Sequence, residues 1–255
     1  SFIFTDGMPK PWQLMKFLEY VRFYSHHVPL DDSKRTFRDY AEITSHTLTF
    51  LVTSSFDMDA EMYDSSIPKS PLDVKIQGGH VGNSSVNSIA TIYTKDGQRL
   101  LSNVNQAVFV DKATRRPKAI PDWWKEKYAE SAKNYESLKF SKIKRPEGVM
   151  PFKIHVVRSD IDANNHVNWT CYVRYALDGL YHNVKHKLIK GLDDFEKRGL
   201  KRMELLFSGE SFDDDVLDVF VWADLEEELR AHVHIEKNSN FLFQGSFKFQ
   251  EKCQV

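Results

Sequence analysis

The sequence predicts an α+β protein built from two halves of similar architecture. Each half contains one helix with a wide apolar face, and four strand-like segments follow that helix. The two halves share this order of elements but are not similar in amino-acid sequence. A length of 255 residues suits one large domain or two small ones, each able to bury a core.

The first half is predicted to span residues 1–124. Its helix starts at Pro11, a residue that suits the first turn, and keeps an apolar surface up to Tyr24. The Asp96-Gly97 pair predicts a hairpin turn between its last two strands. Strands are predicted at Thr47–Phe56, Leu72–Gln77, Ser84–Tyr93 and Leu100–Val110.

The second half is predicted to span residues 151–255. Residues 125–150 are rich in Lys and Glu and predict a connecting segment, helical around Trp123–Lys133, that crosses the outside of the molecule. An apolar face from about Asn168 to Lys187 predicts the second helix. Strands are predicted at Phe152–Val156, Met203–Phe207, Val216–Ala223, Arg230–Glu236 and Asn240–Gln250.

Composition excludes several classes of protein. The 35 basic and 36 acidic residues give a net charge of −1, which offers no electrostatic attraction to nucleic acid or an anionic membrane. No apolar stretch approaches the roughly 20 residues of a membrane span. Cys171 and Cys253 do not make a disulfide framework, so a reducing, cytoplasmic location is expected. The chain starts at Ser1 rather than Met, so a removed leader stays an alternative.

One segment of the second half carries the chemistry. Asp162, Asn164 and His166 are spaced by two, which in an extended segment points all three side chains to one side. Asn168 then offers an N-cap for the second helix. A carboxylate, an amide and an imidazole therefore meet the positive end of a helix, where they could polarise a carbonyl and activate water.

Two other interpretations compete for the same residues. Asp160, Asp162 and Asn164 occupy the first three ligand places of a calcium-binding EF-hand loop. Asn165, however, stands where the loop requires a glycine, and Cys171 stands where it requires a glutamate. Calcium binding is therefore not predicted. The second alternative is an Asx-rich turn that caps the helix and has no catalytic role.

The string Asp162-Ala163-Asn164-Asn165-His166-Val167-Asn168 resembles the D-x-N-x-H-V-N-N segment of hot-dog-fold thioesterases, above all the acyl-carrier-protein (ACP) thioesterases. The last position departs from that pattern, because it is Trp169. The resemblance implies a tandem hot-dog fold with two antiparallel sheets, each wrapping a central helix. It also implies hydrolysis of fatty acyl thioesters of coenzyme A or ACP.

The resemblance extends to a second segment. The segment Leu206-Phe207-Ser208-Gly209-Glu210-Ser211 looks like the strand in which these thioesterases carry a Glu followed by a Cys. Glu210 matches that Glu, and Ser211 replaces the Cys. The missing thiol argues against a covalent cysteine mechanism. Four side chains are predicted to be catalytic: Asp162, Asn164, His166 and Glu210.

Each predicted site residue has an expected role. Asp162 would orient the site and balance its charge, and Asn164 would bind the substrate or hold the catalytic water. His166 would position that water or stabilise the intermediate. Glu210 is the leading candidate for the general base. Backbone N–H groups near Asn168 and Trp169 would polarise the thioester carbonyl. No metal or redox cofactor is required.

The first half has only Asp6 before its helix and lacks the Asn and His of the motif. One working site is therefore expected, at the interface of the halves, in a monomer with a pseudo-twofold axis or in a homodimer. Expected partners are an acyl thioester and an acyl carrier protein. The rival interpretation is an inactive protein that binds a lipid or another apolar molecule, since Trp169 narrows the site. A hydratase or dehydratase on the same fold is a third interpretation.

Overall fold

The computed structural model describes residues 4–5 and 8–252, so the predictions made for Asp6 and Cys253 lie outside the described residues. Internal contacts divide the chain into two compact units. The motif unit comprises Ser1–Lys16, Asp57–Ile67 and Phe140–Val255, and the companion unit comprises Phe17–Phe56 and Pro68–Lys139. The domain boundaries expected at residues 124 and 150 stay a prediction.

The structure contains the three helices that the apolar periodicity of the sequence predicts. They are α1 Pro11–His27, α2 Tyr40–Ile43, α3 Asp122–Ala132, α4 Trp169–Lys185 and α5 Phe195–Arg198. The predicted helices at Pro11–Tyr24, Trp123–Lys133 and Asn168–Lys187 are therefore confirmed as α1, α3 and α4. The sequence missed α2 and α5 because a single turn is too short to show an apolar period. Among the described residues, no helix combines the length and the apolar character needed to cross a membrane.

The strands match the predicted segments to within a few residues. They are β1 Phe4–Thr5, β2 Met8–Pro9, β3 Thr47–Met58, β4 Leu72–Val81, β5 Ser85–Thr94, β6 Arg99–Asp111, β7 Pro151–His155, β8 Leu200–Phe207, β9 Val216–Ala223, β10 Arg230–Lys237 and β11 Asn240–Phe249. The nine strands β3 to β11 confirm the nine predicted ones. The short pair β1–β2 was not predicted.

The expected arrangement in two sheets stays a prediction. Each unit contains its own run of hydrogen-bonded strands, and the expected division into two sheets, each wrapping a helix, is not confirmed. The sequence could not decide this point. Alternation of apolar and polar residues identifies the two faces of a strand but not the strands that pair with its edges.

In the companion unit the strand order is β4-β5-β6-β3. The predicted hairpin joins β5 to β6, and Gly97 adopts the positive φ of 85° that its turn requires. Helix α3 contributes Trp124 to a small core formed with Ile43, Phe109 and Ile120. The buried indole N–H of Trp124 is satisfied by the Arg38 carbonyl at 2.7 Å.

In the motif unit five strands, in the order β8-β11-β10-β9-β7, form an antiparallel array that packs on α4. Helix and sheet lie close together at Gly179, where an added Cβ would lie 2.7 Å from the Cγ1 of Val219. Leu180, on the same helix, is fully buried. The sequence-predicted second half, a helix covered by antiparallel strands, is therefore present. Its position fixes the start of α4, where the motif lies.

The end of the connecting segment, which belongs to the motif unit, contacts two of its strands. The amide of Gln244 on β11 accepts a hydrogen bond from the Ile143 N–H at 2.7 Å and donates one to the Ser141 carbonyl at 3.1 Å. The Arg145 guanidinium lies 3.5 Å from the centre of the Phe220 ring on β9. A polar, irregular segment thus gains a defined path without secondary structure of its own.

Replacing Gly179 with Ala should destabilise the protein. Ala normally favours a helix over Gly by about 1 kcal/mol, whereas the contact with Val219 should cost about 1–3 kcal/mol through overpacking. Urea unfolding would measure the difference, with Asp178→Ala on the exposed side of the same helix as control. A more stable Gly179→Ala protein would show that α4 does not lie this close to β9.

Candidate active site

The motif forms a closed turn. Ile161 and Val167 pair as an antiparallel bridge, and the Asp162 N–H donates to the His166 carbonyl at 2.8 Å. Asn165 sits at the tip with a φ of +63°, a conformation that Asn tolerates. The extended conformation predicted for Asp162 to His166 was therefore wrong. The sequence carried the signal for the turn in its cluster of Asp and Asn, which was weighed as the Asx-turn alternative.

Asp162 and Asn164 have different surroundings within this turn. The Asp162 carboxylate accepts the backbone N–H of Asn164 at 2.7 Å, which makes it part of the turn itself. Asn164 is exposed, and within the described residues its side-chain amide makes no hydrogen bond. That amide is therefore available to donate a hydrogen bond to a bound molecule.

His166 lies beside Glu210. The imidazole Nε2 is 3.5 Å from a carboxylate oxygen of Glu210, and the edge of the ring meets Phe212 with centroids 5.4 Å apart. The side chain of His166 is 19 % exposed and that of Glu210 is 36 % exposed. The pair is thus partly shielded yet reachable by water. A separation of 3.5 Å is long for a hydrogen bond, as catalytic contacts often are before substrate binds.

Asn168 caps α4, as predicted. Its side-chain oxygen accepts hydrogen bonds from the Thr170 N–H at 3.1 Å and the Thr170 hydroxyl at 2.6 Å. The Asn168 N–H, however, donates to the Asp160 carbonyl at 2.8 Å. The prediction that this N–H polarises a substrate carbonyl was therefore wrong, because the group is already engaged. The same role for Trp169 stays a prediction; its ring meets Phe207 edge-on with centroids 6.1 Å apart.

Ser211, which replaces the Cys of the thioesterase pattern that the sequence resembles, is fully buried. Its hydroxyl lies 2.8 Å from the Tyr172 hydroxyl, and its carbonyl accepts the Val167 N–H at 2.8 Å. Burial raises the pKa of Tyr172 to about 12, so this phenol is neutral at physiological pH and cannot serve as a base. Ser211 therefore joins the motif turn to α4.

Sequence reasoning considered Asp160 only as a calcium ligand. In the structure its carboxylate is 4 % exposed, accepts the Tyr175 hydroxyl at 2.5 Å and forms an ion pair with Arg174. Burial opposes the charge of Arg174, but Asp160 outweighs that effect and the pKa of the guanidinium is raised. An Arg-Tyr pair in the second turn of a helix that follows the aspartate is the pattern that could have indicated this contact.

A cavity of about 260 Å³ also lies in the motif unit. Its walls include Trp12, Leu177, Tyr181 and Phe249, which makes it largely aromatic and apolar. None of the motif residues Asp162, Asn164 and His166 lines this cavity. Among the described residues, no group of three or more His, Cys, Asp or Glu side chains is arranged to hold a metal ion.

Comparisons with known proteins agree with this geometry. Residues 143–251, just under half of the chain, match the family model of the acyl-ACP thioesterase C-terminal domain, which confirms the resemblance seen in the motif. An acyl-ACP thioesterase from Bacteroides thetaiotaomicron superposes with a TM-score of 0.67 at 18% identity, covering 98% of this chain and 93% of the other. No curated protein matches the chain significantly.

A 12:0-ACP thioesterase from Umbellularia californica superposes with a TM-score of 0.71 at 14% identity, covering 98% of this chain and 94% of the other. At such identities the likeness shows the fold of the whole chain and leaves its substrate open.

Cys171 should be unreactive towards alkylating agents. Burial, followed by the charge of Asp160, raises the pKa of its thiol from 9.0 to about 11, so the reactive thiolate forms only in strongly alkaline solution. At pH 8 iodoacetamide should modify it about a hundredfold more slowly than an exposed peptide thiol. Peptide mapping by mass spectrometry would separate it from Cys253. Modification as fast as that of the peptide would contradict the buried, protonated thiol.

Proposed function

We propose that the chain hydrolyses acyl thioesters at the turn that carries Asn164 and His166. The observation that carries the proposal is the pairing of His166 with Glu210 at 3.5 Å, beside the N-terminus of α4 and inside the segment that matches the family model. Thioesters are activated acyl groups. Their hydrolysis requires an oriented water, a proton acceptor and a stabilised oxyanion.

In this proposal Glu210 takes a proton from a water molecule that His166 orients. The water oxygen forms a bond to the thioester carbonyl carbon, and the oxyanion that results accepts a hydrogen bond from the Asn164 amide. The dipole of α4 adds favourable potential for the negative charge. Collapse of the intermediate breaks the carbon–sulfur bond, and the leaving thiolate recovers the proton from Glu210. Asp162 holds the turn by accepting the Asn164 N–H.

A general-base route fits this chain better than a covalent one. Ser211 is fully buried and bonded to Tyr172, so its hydroxyl is not placed to attack a carbonyl. The thiol of Cys171 is protonated at neutral pH because its pKa is raised to about 11. Both candidate nucleophiles near the motif are therefore poor ones, and water is the nucleophile that we propose.

The proposed substrate is a fatty acyl group carried by coenzyme A or by an acyl carrier protein. We also propose a tandem hot-dog architecture with one domain at residues 1–124, a connection at 125–150 and the catalytic domain at 151–255. The packing of α4 on its five strands and the full-length likeness to thioesterase structures support this architecture. The cytoplasmic location inferred from the cysteines stays a prediction.

Removing either polar group of the turn should abolish most of the activity. His166→Ala and Asn164→Ala should each lower thioester turnover by about two orders of magnitude or more, because each removes one positioned catalytic group. A spectrophotometric thiol-release assay over a series of acyl chain lengths would measure the effect. His186→Ala is the matched control, since it removes an exposed imidazole at the far end of α4.

Rates must be compared at equal folded fraction, which circular dichroism can establish. Turnover that survives His166→Ala undiminished would remove the site from this turn. Wild-type protein that binds acyl ligands tightly but hydrolyses none of the series would establish the carrier interpretation instead.

The amide substitution Glu210→Gln should separate catalysis from binding. It preserves the shape of the side chain but removes the proton acceptor, so kcat should fall about a hundredfold or more while KM changes little. Steady-state kinetics on one good substrate would show this split. A rise in KM with unchanged kcat would assign Glu210 to substrate binding and leave the general base to another group.

A further inference from the structure

A buried carboxylate directly precedes the motif turn and holds α4. The Asp160 carboxylate accepts the Tyr175 hydroxyl through one oxygen and the Arg174 guanidinium through the other. Both partners lie in the second turn of α4, so three side chains tie this helix to the residue before the turn. Inside a protein such a buried polar network is rigid, because breaking it leaves a charge buried without partners.

The backbone of the same residue closes the turn. The Asp160 carbonyl accepts the Asn168 N–H at 2.8 Å. This hydrogen bond closes the loop formed by Ile161 to Val167. The Asp162 N–H then bonds the His166 carbonyl within that loop. The location of His166 relative to α4 therefore depends on where Asp160 is held.

We infer that Asp160 is a positioning residue for the proposed hydrolytic site. Its carboxylate fixes α4, its carbonyl fixes the end of the turn, and through both it sets the places of Asn164 and His166. It does not touch substrate, because its carboxylate is 4 % exposed and bonded to α4. This inference rests on the proposed function. Asp160 would affect the proposed hydrolysis indirectly, through the position of His166.

A positioning role differs from a general contribution to stability in one measurable way. A residue that acts through His166 has nothing to act on once the imidazole is gone, so the two substitutions should not be additive. A residue that merely stabilises the fold should reduce activity by the same factor whether or not His166 is present. A double-mutant cycle therefore tests the inference.

The cycle comprises wild type, Asp160→Asn, His166→Ala and the double variant, with turnover measured at equal folded fraction. Asp160→Asn should lower kcat by about ten- to a hundredfold, with KM within about twofold, because small misplacements of catalytic groups are costly. In the His166→Ala background the same change should cost less than about threefold. Asp193→Asn is the matched control, an exposed carboxylate of the motif unit that makes no hydrogen bond within the described residues.

Unchanged kcat in Asp160→Asn, or an equal loss in both backgrounds, would overturn the inference. If Asp160→Asn does not fold, Tyr175→Phe replaces it in the cycle. This variant keeps the ion pair with Arg174 and removes only the hydroxyl.

Nuclear magnetic resonance keeps this result separate from the proposed function. The His166 ring resonances should move in Asp160→Asn and stay in place in Asp193→Asn. If the wild-type protein shows no turnover but the His166 resonances move in Asp160→Asn, the proposed hydrolysis is refuted and the positioning role of Asp160 stands. Resonances that do not move would overturn the positioning role whatever the turnover.

Discussion

The close contact between α4 and its sheet is the constraint on which the motif unit depends. Gly179 permits this contact because a side chain there would meet Val219, and the apolar residues around it are fully buried. A helix held this closely cannot shift along its axis without overpacking. Its first turn, which Asn168 caps, is therefore fixed in space. The motif inherits its position from that packing.

Polar contacts then attach the turn to the fixed helix from two sides. Asp160 reaches α4 on one side, and Ser211 reaches Tyr172 on the other while its carbonyl holds Val167. A turn with an exposed tip would otherwise be mobile. Because both ends are held, the side chain of His166 can face Glu210 at a defined separation. The two attachments use buried groups, so their hydrogen bonds do not compete with water.

The regular elements could be predicted from the sequence because their signals are local. Apolar period identified α1 and α4, strand alternation identified β3 to β11, and Asn168 identified the helix start. The closed turn could not be derived from spacing alone. Alternation from Asp162 to His166 fits a strand, but the bond from Asp162 to the Asn164 N–H and the left-handed Asn165 decide for a turn. The contacts of Asp160 and Ser211 with α4 were not predicted, because their partners lie 14 or more residues away in the sequence. A local sequence pattern does not indicate such contacts.

The substitution of Ser for Cys next to Glu210 bears on the chemistry more than on the architecture. A thiol at position 211 would be a candidate nucleophile, whereas the hydroxyl there is buried and shared with Tyr172, whose pKa is raised to about 12. The neutral phenol of Tyr172 is a poor base, so it cannot take the proton of the Ser211 hydroxyl and activate that hydroxyl as a nucleophile. The carboxylate of Glu210 is half-buried beside His166 and remains close to solvent. A site with a shielded hydroxyl and a reachable carboxylate favours activation of water over formation of an acyl-enzyme. This supports the proposed hydrolysis, in which the imidazole and the carboxylate act on the same water molecule and no acyl-enzyme forms.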